Sequence, residues 1–487
     1  METKPVTGGG AKAELAAALT GVLSHRIAGF RSLQSCERLS GGASQETYRV
    51  VIETVDGPRK LAMRRAPGGS RYAFSAAGPG LRAEAKLLAA ARAAGVPEPA
   101  ILHVFEERDG LGDGFLMEWL EGETLGARIT RAPELEAVRP QLARQCGEVL
   151  ARIHVIDVQA AGLAEMLQAR TPEQLVHESW DLYQAYGTPQ PMIDFAARWL
   201  LEHLPSPLPP RLVHGDFRNG NLMISAERGI VAVLDWELAH LGDPVRDLGW
   251  LCTNSWRFGR SDLPVGGFGV IDDLLAGYAS VAGTSVDPAH VKFWIVFGSF
   301  WWAVGCLSMS QFYRLGADKS AERAAIGRRS SECQVDCVNL LIPGPVDLVE
   351  PADLAASADL PRIDELVTSV RDYLRNDVMN ASQGRMQFLA RVAGNSLDTV
   401  LRELAIGPEL RQRGREELRQ LLGGDADLEA LEWQLVRGLR DGRVPLDQPG
   451  LAQYLRNSVV NQVAIDQPTY SGYKTALANA GRTPPTA

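Results

Sequence analysis

Residues 212–224 read LVHGDFRNGNLMI, and residues 230–236 read IVAVLDW. An apolar run delivers His214-Gly215-Asp216, Asn221 follows after four residues, and a second apolar run ends in Asp235. The period-two alternation and the short apolar runs predict strands on both sides of a polar loop. Asp216 therefore sits at the mouth of one strand, and Asp235 at the end of the next hairpin. Phosphoryl transfer needs these parts. One carboxylate orients an attacking hydroxyl and takes its proton, while an amide oxygen and a second carboxylate hold Mg²⁺ on nucleotide phosphates. A polar turn with a capping Asp would also give HGD, but not the whole ordered set.

The Asp216-x4-Asn221 spacing and the later Asp235 match the catalytic loop and the metal-binding Asp of kinases. Asp216 is then the catalytic base, and Asn221 and Asp235 are the metal ligands. Other segments extend the pattern toward the N-terminus. Residues 39–47, LSGGASQET, precede a strand, and Gly41, Gly42 and Ser44 offer backbone N–H groups and a hydroxyl to phosphates. Thr47–Thr54 and Lys60–Arg65 read as strands joined at Asp56-Gly57-Pro58. On the second strand Arg64 stands where kinases carry a phosphate-binding Lys. Glu84, on the helix 81–95, is its expected partner, and Lys60 is a rival on the same strand face. Residues 115–125, FLMEWLEGETL, form an extended crossover in which the backbone of Glu118 and Leu120 could meet adenine.

Outward from these motifs, residues 1–40 read as helical, 101–106 and 115–118 as short strands, and 130–345 as mainly helical. The segment 343–361, PGPVDLVEPADLAASADLP, reads as a linker. Beyond it Ile363, Leu366, Val367, Val370 and Leu374 form one helical stripe, and residues around Leu431 and Leu455 form two more. The expected domains are 1–120 (N-terminal helix and nucleotide-binding sheet), 121–342 (helical lobe with the catalytic loop), the linker 343–361, and an all-helical domain 362–487.

The chain has 487 residues, 45% hydrophobic and 22% charged, with a net charge of −9, a globular balance that argues against a nucleic-acid partner. Only 7 of its 50 basic residues are Lys. The six cysteines form no CxxC pair, and the N-terminus shows no signal-peptide pattern, so a cytoplasmic setting is expected. Residues 293–313 carry no charge and are long enough to span a bilayer. Their Gly, Ser and Gln content reads instead as a buried core helix, and no membrane partner is expected. Its aromatic stretch Trp294–Trp302 is a candidate lining for an apolar acceptor.

The motifs SGGASQETY, FLMEWLEG, LVHGDFRNGNLM and VLDWELAHLGDPVRDLGWL resemble the aminoglycoside-phosphotransferase and choline-kinase-like family over about residues 25–340. The Arg64 strand followed by Ala66-Pro67-Gly68-Gly69 looks most like the branch whose kinase domains are fused to acyl-CoA dehydrogenases. The resemblance implies an α+β, bilobal protein-kinase-like fold and an Mg²⁺- and ATP-dependent kinase acting on a small-molecule hydroxyl, most directly a hydroxyacyl-CoA or hydroxy acid. Aminoglycosides and other small alcohols are the alternative acceptors. A non-catalytic nucleotide-binding scaffold is the alternative class, motivated by Arg64 in place of Lys and opposed by the presence of Asp216, Asn221 and Asp235 together. The same resemblance gives Asp243 and Asp247 bracing roles and leaves His214 to hold the loop backbone. The C-terminal region resembles a helical domain found beside such phosphotransferases in bacteria, a surface for a protein partner or self-association.

Overall fold

The computed structural model describes residues 10–39, 45–67 and 78–481. By contacts the chain divides into two compact units. One holds Met1–Arg170, Pro207–Cys252 and Phe268–Asp287; the other holds Thr171–Ser206, Thr253–Gly267 and Pro288–Ala487.

The first unit is built on a five-stranded antiparallel sheet. Its strands are β1 (Phe30–Arg38), β2 (Glu46–Thr54), β3 (Gly57–Arg65), β4 (Ile101–Val104) and β5 (Gly114–Glu118), in the order β1-β2-β3-β5-β4. The expectation of helix throughout residues 1–40 is corrected here. The first helix, Gly10–Arg26, stops before Gly29, which sits at φ 70°, and β1 follows as the edge strand. A left-handed φ ends a helix and is easiest for glycine. Leu19, Val22, Leu23 and Ile27 then pack with Val50, Ile52, Leu61 and Met63 in one core. Because Leu61 and Met63 face that core, strand alternation turns Arg64 to the opposite face. The helix Gly80–Ala93, carrying Glu84, packs against β4 and β5.

Two small hairpin-like pairs complete the unit. β6 (Arg211–Val213) pairs with β9 (His240–Gly242), and β7 (Leu222–Ser225) pairs with β8 (Gly229–Val233). They rest against the helix Leu142–His154, which crosses the helix Ile271–Ala282 closely. Glycines permit that approach: a Cβ on Gly147 would collide with the Leu274 carbonyl, and one on Gly277 with the Arg144 carbonyl.

The second unit is helical. Among the described residues one helix, Pro288–Arg314, is long and apolar enough to cross a membrane. Trp294, Phe293, Phe297 and Phe300 on it are buried among one another. Trp301 and Trp302, at the other end of the expected aromatic stretch, are part-exposed. Within the segment 343–361, expected as a linker, Val346 and Val349 are buried, and the N–H groups of Asp347 and Val349 donate to the Asn457 and Asn461 side chains at 2.9 and 2.8 Å. The stripe of Ile363, Leu366 and Val370 faces outward, while Arg371 on the same helix pairs with Asp398 at 3.3 Å. In the helix Pro191–Glu202, Asp194 is wholly buried and accepts from Trp180, Tyr183 and Arg440 at 2.7–2.8 Å.

Candidate active site

The candidate catalytic loop leaves β6 through His214-Gly215-Asp216. Gly215 sits at φ 85°, and a Cβ there would collide with the Leu238 carbonyl, so this turn requires glycine. Asp247 holds the loop from beneath. Its Oδ2 accepts from the His214 N–H at 2.8 Å, and its Oδ1 from the Gly215 N–H at 2.9 Å. Arg246 donates to the Gly215 carbonyl at 2.8 Å. His154 reaches Asp247 Oδ2 at 3.1 Å and the Tyr278 hydroxyl at 3.0 Å. Burial pushes the Asp247 carboxyl up, but the His154 bond and the neighbouring His154, His214 and Arg246 charges bring it down to about 2. The expected bracing role of Asp247 is thus visible as three main-chain clamps, with Arg246 supplying the third. Asp243 accepts from the Val245 N–H at 2.9 Å and starts the helix Val245–Leu251. His214 Nδ1 accepts from the Asp216 N–H at 3.1 Å.

Asp216 and Asn221 come together directly. The Asn221 amide donates to Asp216 Oδ2 at 2.6 Å and to its carbonyl at 3.0 Å. Asp216 Oδ1 accepts from the Trp250 indole at 2.7 Å and from Arg218 Nε at 3.1 Å. The Leu234 N–H donates to the Asn221 carbonyl at 2.7 Å, which sets Asp235 beside the same loop. Asp235 adopts φ 71°, a left-handed conformation rare outside glycine and concentrated at functional sites.

Arg64 closes the constellation. Its guanidinium lies 3.2 Å from Glu84, 2.7 Å from Asp235 Oδ1 and 2.6 Å from Gln45 Oε1. Burial would lower its pKa, but Glu84, Asp235 and Glu237 raise it overall. Burial pushes the Glu84 carboxyl up to about 7, against the pull of Arg64. The rival, Lys60, instead pairs at 2.7 Å with Glu121 on the exposed surface.

The remaining sequence candidates fall elsewhere. Gly41, Gly42 and Ser44 lie outside the described residues. Glu118 ends β5, where its N–H donates to the Ala100 carbonyl at 2.9 Å and its side chain accepts from the Ala100 N–H at 3.2 Å. Leu120 follows in the extended crossover. Sequence reasoning missed Gln45, His154, Arg218 and Trp250. Trp250 had a signal: it lies three residues after Asp247, on the same side of a short helix.

Asn221 spends its amide N–H groups on Asp216, so its side-chain oxygen is the atom suited to a cation. With the Asp235 carboxylate it makes a sparse, hard, all-oxygen donor set. Mg²⁺, which keeps waters and phosphate oxygens around it, fits such a set.

Residues 35–283 match the phosphotransferase enzyme family, APH, and the chain belongs to that family. Residues 380–470 match a domain of unknown function, DUF6285. Among individual proteins, the chain is similar to acyl-CoA dehydrogenase family member 10 of Mus musculus, 33% identical over 221 residues, which is 43% of this chain and 19% of the relative. It is 24% identical over 425 residues to acyl-CoA dehydrogenase family member 11 of Rattus norvegicus, covering 82% of this chain and 52% of the relative. The chain thus spans about half, or less, of the length of these relatives. The solved structure assigned to an aminoglycoside phosphotransferase of Ralstonia eutropha JMP134 superposes with a TM-score of 0.52 at 23% identity, over 65% of this chain and 95% of that one. That likeness establishes the kinase-like fold.

Proposed function

We propose that the chain is an Mg²⁺- and ATP-dependent kinase that transfers the γ-phosphate to a small-molecule hydroxyl, with a hydroxyacyl-CoA or hydroxy acid as acceptor. The observation that carries this reading is the Arg64 bridge to Glu84 and Asp235, set in one unit with the Asp216–Asn221 pair. In it, Asp216 orients the acceptor hydroxyl and takes its proton. Asn221 and Asp235 hold Mg²⁺, which neutralises charge on the transferring phosphoryl group. Arg64, oriented by Glu84, forks onto the phosphates. The Glu118 carbonyl and the Leu120 N–H read the adenine edge. The functional division into 1–120, 121–342, 343–361 and 362–487 belongs to the same reading. Similarity to proteins named as acyl-CoA dehydrogenase family members supports the acyl-CoA class of acceptor.

The test is Mg·ATP turnover by the purified full chain across hydroxyacyl-CoAs, free hydroxy acids, aminoglycosides and choline. Turnover with a hydroxyacyl-CoA, falling to a small residual rate in Asp216→Ala, is expected. Transfer to an aminoglycoside alone overturns the acceptor, and ATP binding without turnover on any acceptor favours a scaffold.

A further inference from the structure

We propose that Trp250 is a positioning residue that fixes which oxygen of Asp216 takes the acceptor's proton, and that this oxygen is Oδ2. The inference rests on the kinase reading above and deepens it. An ionised carboxylate offers about two acceptor positions on each oxygen. On Asp216, Oδ1 takes both the Trp250 indole N–H at 2.7 Å and Arg218 Nε–H at 3.1 Å, so it is filled. Oδ2 takes the Asn221 amide at 2.6 Å, which leaves its second position for a hydroxyl.

The rigidity of the arrangement comes from one helix. The residues of Val245–Leu251 are all buried, and Asp247 on it clamps the main chain of His214 and Gly215. Trp250, one turn on, clamps the side chain of the base that the same loop carries. The torsion of an Asp carboxylate is otherwise broad and close to two-fold, so without a fixed donor the two oxygens could exchange. An indole N–H only donates, so the oxygen that faces it is held as an acceptor. In the transfer step the hydroxyl oxygen forms its bond to the γ-phosphorus as the β–γ bridging oxygen leaves with ADP. The hydroxyl proton passes to Oδ2.

The experiment compares Trp250→Phe with wild type and repeats the substitution in Asp216→Ala. The readout is single-turnover and steady-state Mg·ATP consumption, with the accepted hydroxyl compound or water as acceptor. The expected result is a kcat lower by about tenfold or more, KM for ATP within about twofold, and almost no further loss in the Asp216→Ala background. A residue needed only for folding would lower the rate in both backgrounds. A kcat within about twofold of an active wild type, or equal losses in both backgrounds, overturns the proposal. An inactive wild type overturns the kinase reading and this proposal with it. Should the Phe variant fail to fold, Arg218→Gln removes the other donor to Oδ1 from a more exposed position, and the same two backgrounds decide.

Discussion

Arg64 is the residue on which the proposed nucleotide clamp turns. Its side chain is 15% exposed and Glu84 only 3%, so removing the guanidinium strands a buried carboxylate. Arg64→Ala is expected to weaken ATP binding about tenfold or more and to cost about 3 kcal/mol of stability. Lys60→Ala should leave ATP affinity within about twofold, because the Lys60–Glu121 pair is exposed. Isothermal titration with Mg·ATP and urea unfolding of both variants check this, and the reverse ranking would place the phosphates at the Lys60 end of the same strand face. In the sequence the Arg64–Lys60 choice was open. Strand alternation puts both residues on one face, and only the approach of Glu84 and Asp235 to Arg64, with Lys60 held by Glu121, separates them.

At the scale of elements, the catalytic loop is held by helices that are remote in sequence. His154, on the helix Leu142–His154, reaches Asp247, and Tyr278, on Ile271–Ala282, reaches His154. These two helices must cross at glycine distance for that chain of bonds to close. Gly277→Ala drives a methyl into the Arg144 carbonyl, a backbone atom with no rotamer to yield. It is expected to destabilise by about 1–3 kcal/mol. It should also lower kcat, because Asp247 loses its registry beneath the loop. Thermal unfolding and turnover measured on the same preparation test the pairing of effects, and a stability loss with full kcat would break the link to the loop. The strands β2, β3, β4 and β5 and the helix 80–93 were legible from period and turn residues. The strand β1 was not, because residues 30–38 lie on the sheet edge and their apolar pattern is diluted by exposed positions.

Across the whole chain, the C-terminal residues are built into a unit with helices from the middle of the sequence. Arg440 reaches Asp194, 246 residues away, and Arg198 donates to the Leu439 and Val444 carbonyls at 3.0 and 3.2 Å. Asp194 is completely buried, so the loss of its cation leaves a charge without compensation. Arg440→Ala should cost about 3 kcal/mol in urea unfolding, and Asp194→Asn in that background should recover part of it. Full additivity of the two substitutions would show that the pair is not coupled. A proline-containing acidic stretch such as 343–361 reads as a spacer because its side chains are weakly periodic. Its ordering comes from Asn457 and Asn461, whose amides give no local signal of a partner more than a hundred residues away.

By itself the sequence laid out the candidate site: strand, His-Gly-Asp, Asn and Asp in order, with an Arg on an upstream strand and a Glu on the following helix. These are local, because a catalytic loop must present its groups from neighbouring residues of one backbone. Tertiary structure alone decided that Arg64 rather than Lys60 faces Asp235, that Trp250 and Arg218 share one oxygen of Asp216, and that the C-terminal helices anchor on Asp194. Those outcomes depend on which faces are buried together, and burial is a property of packed elements rather than of the order of residues along the chain.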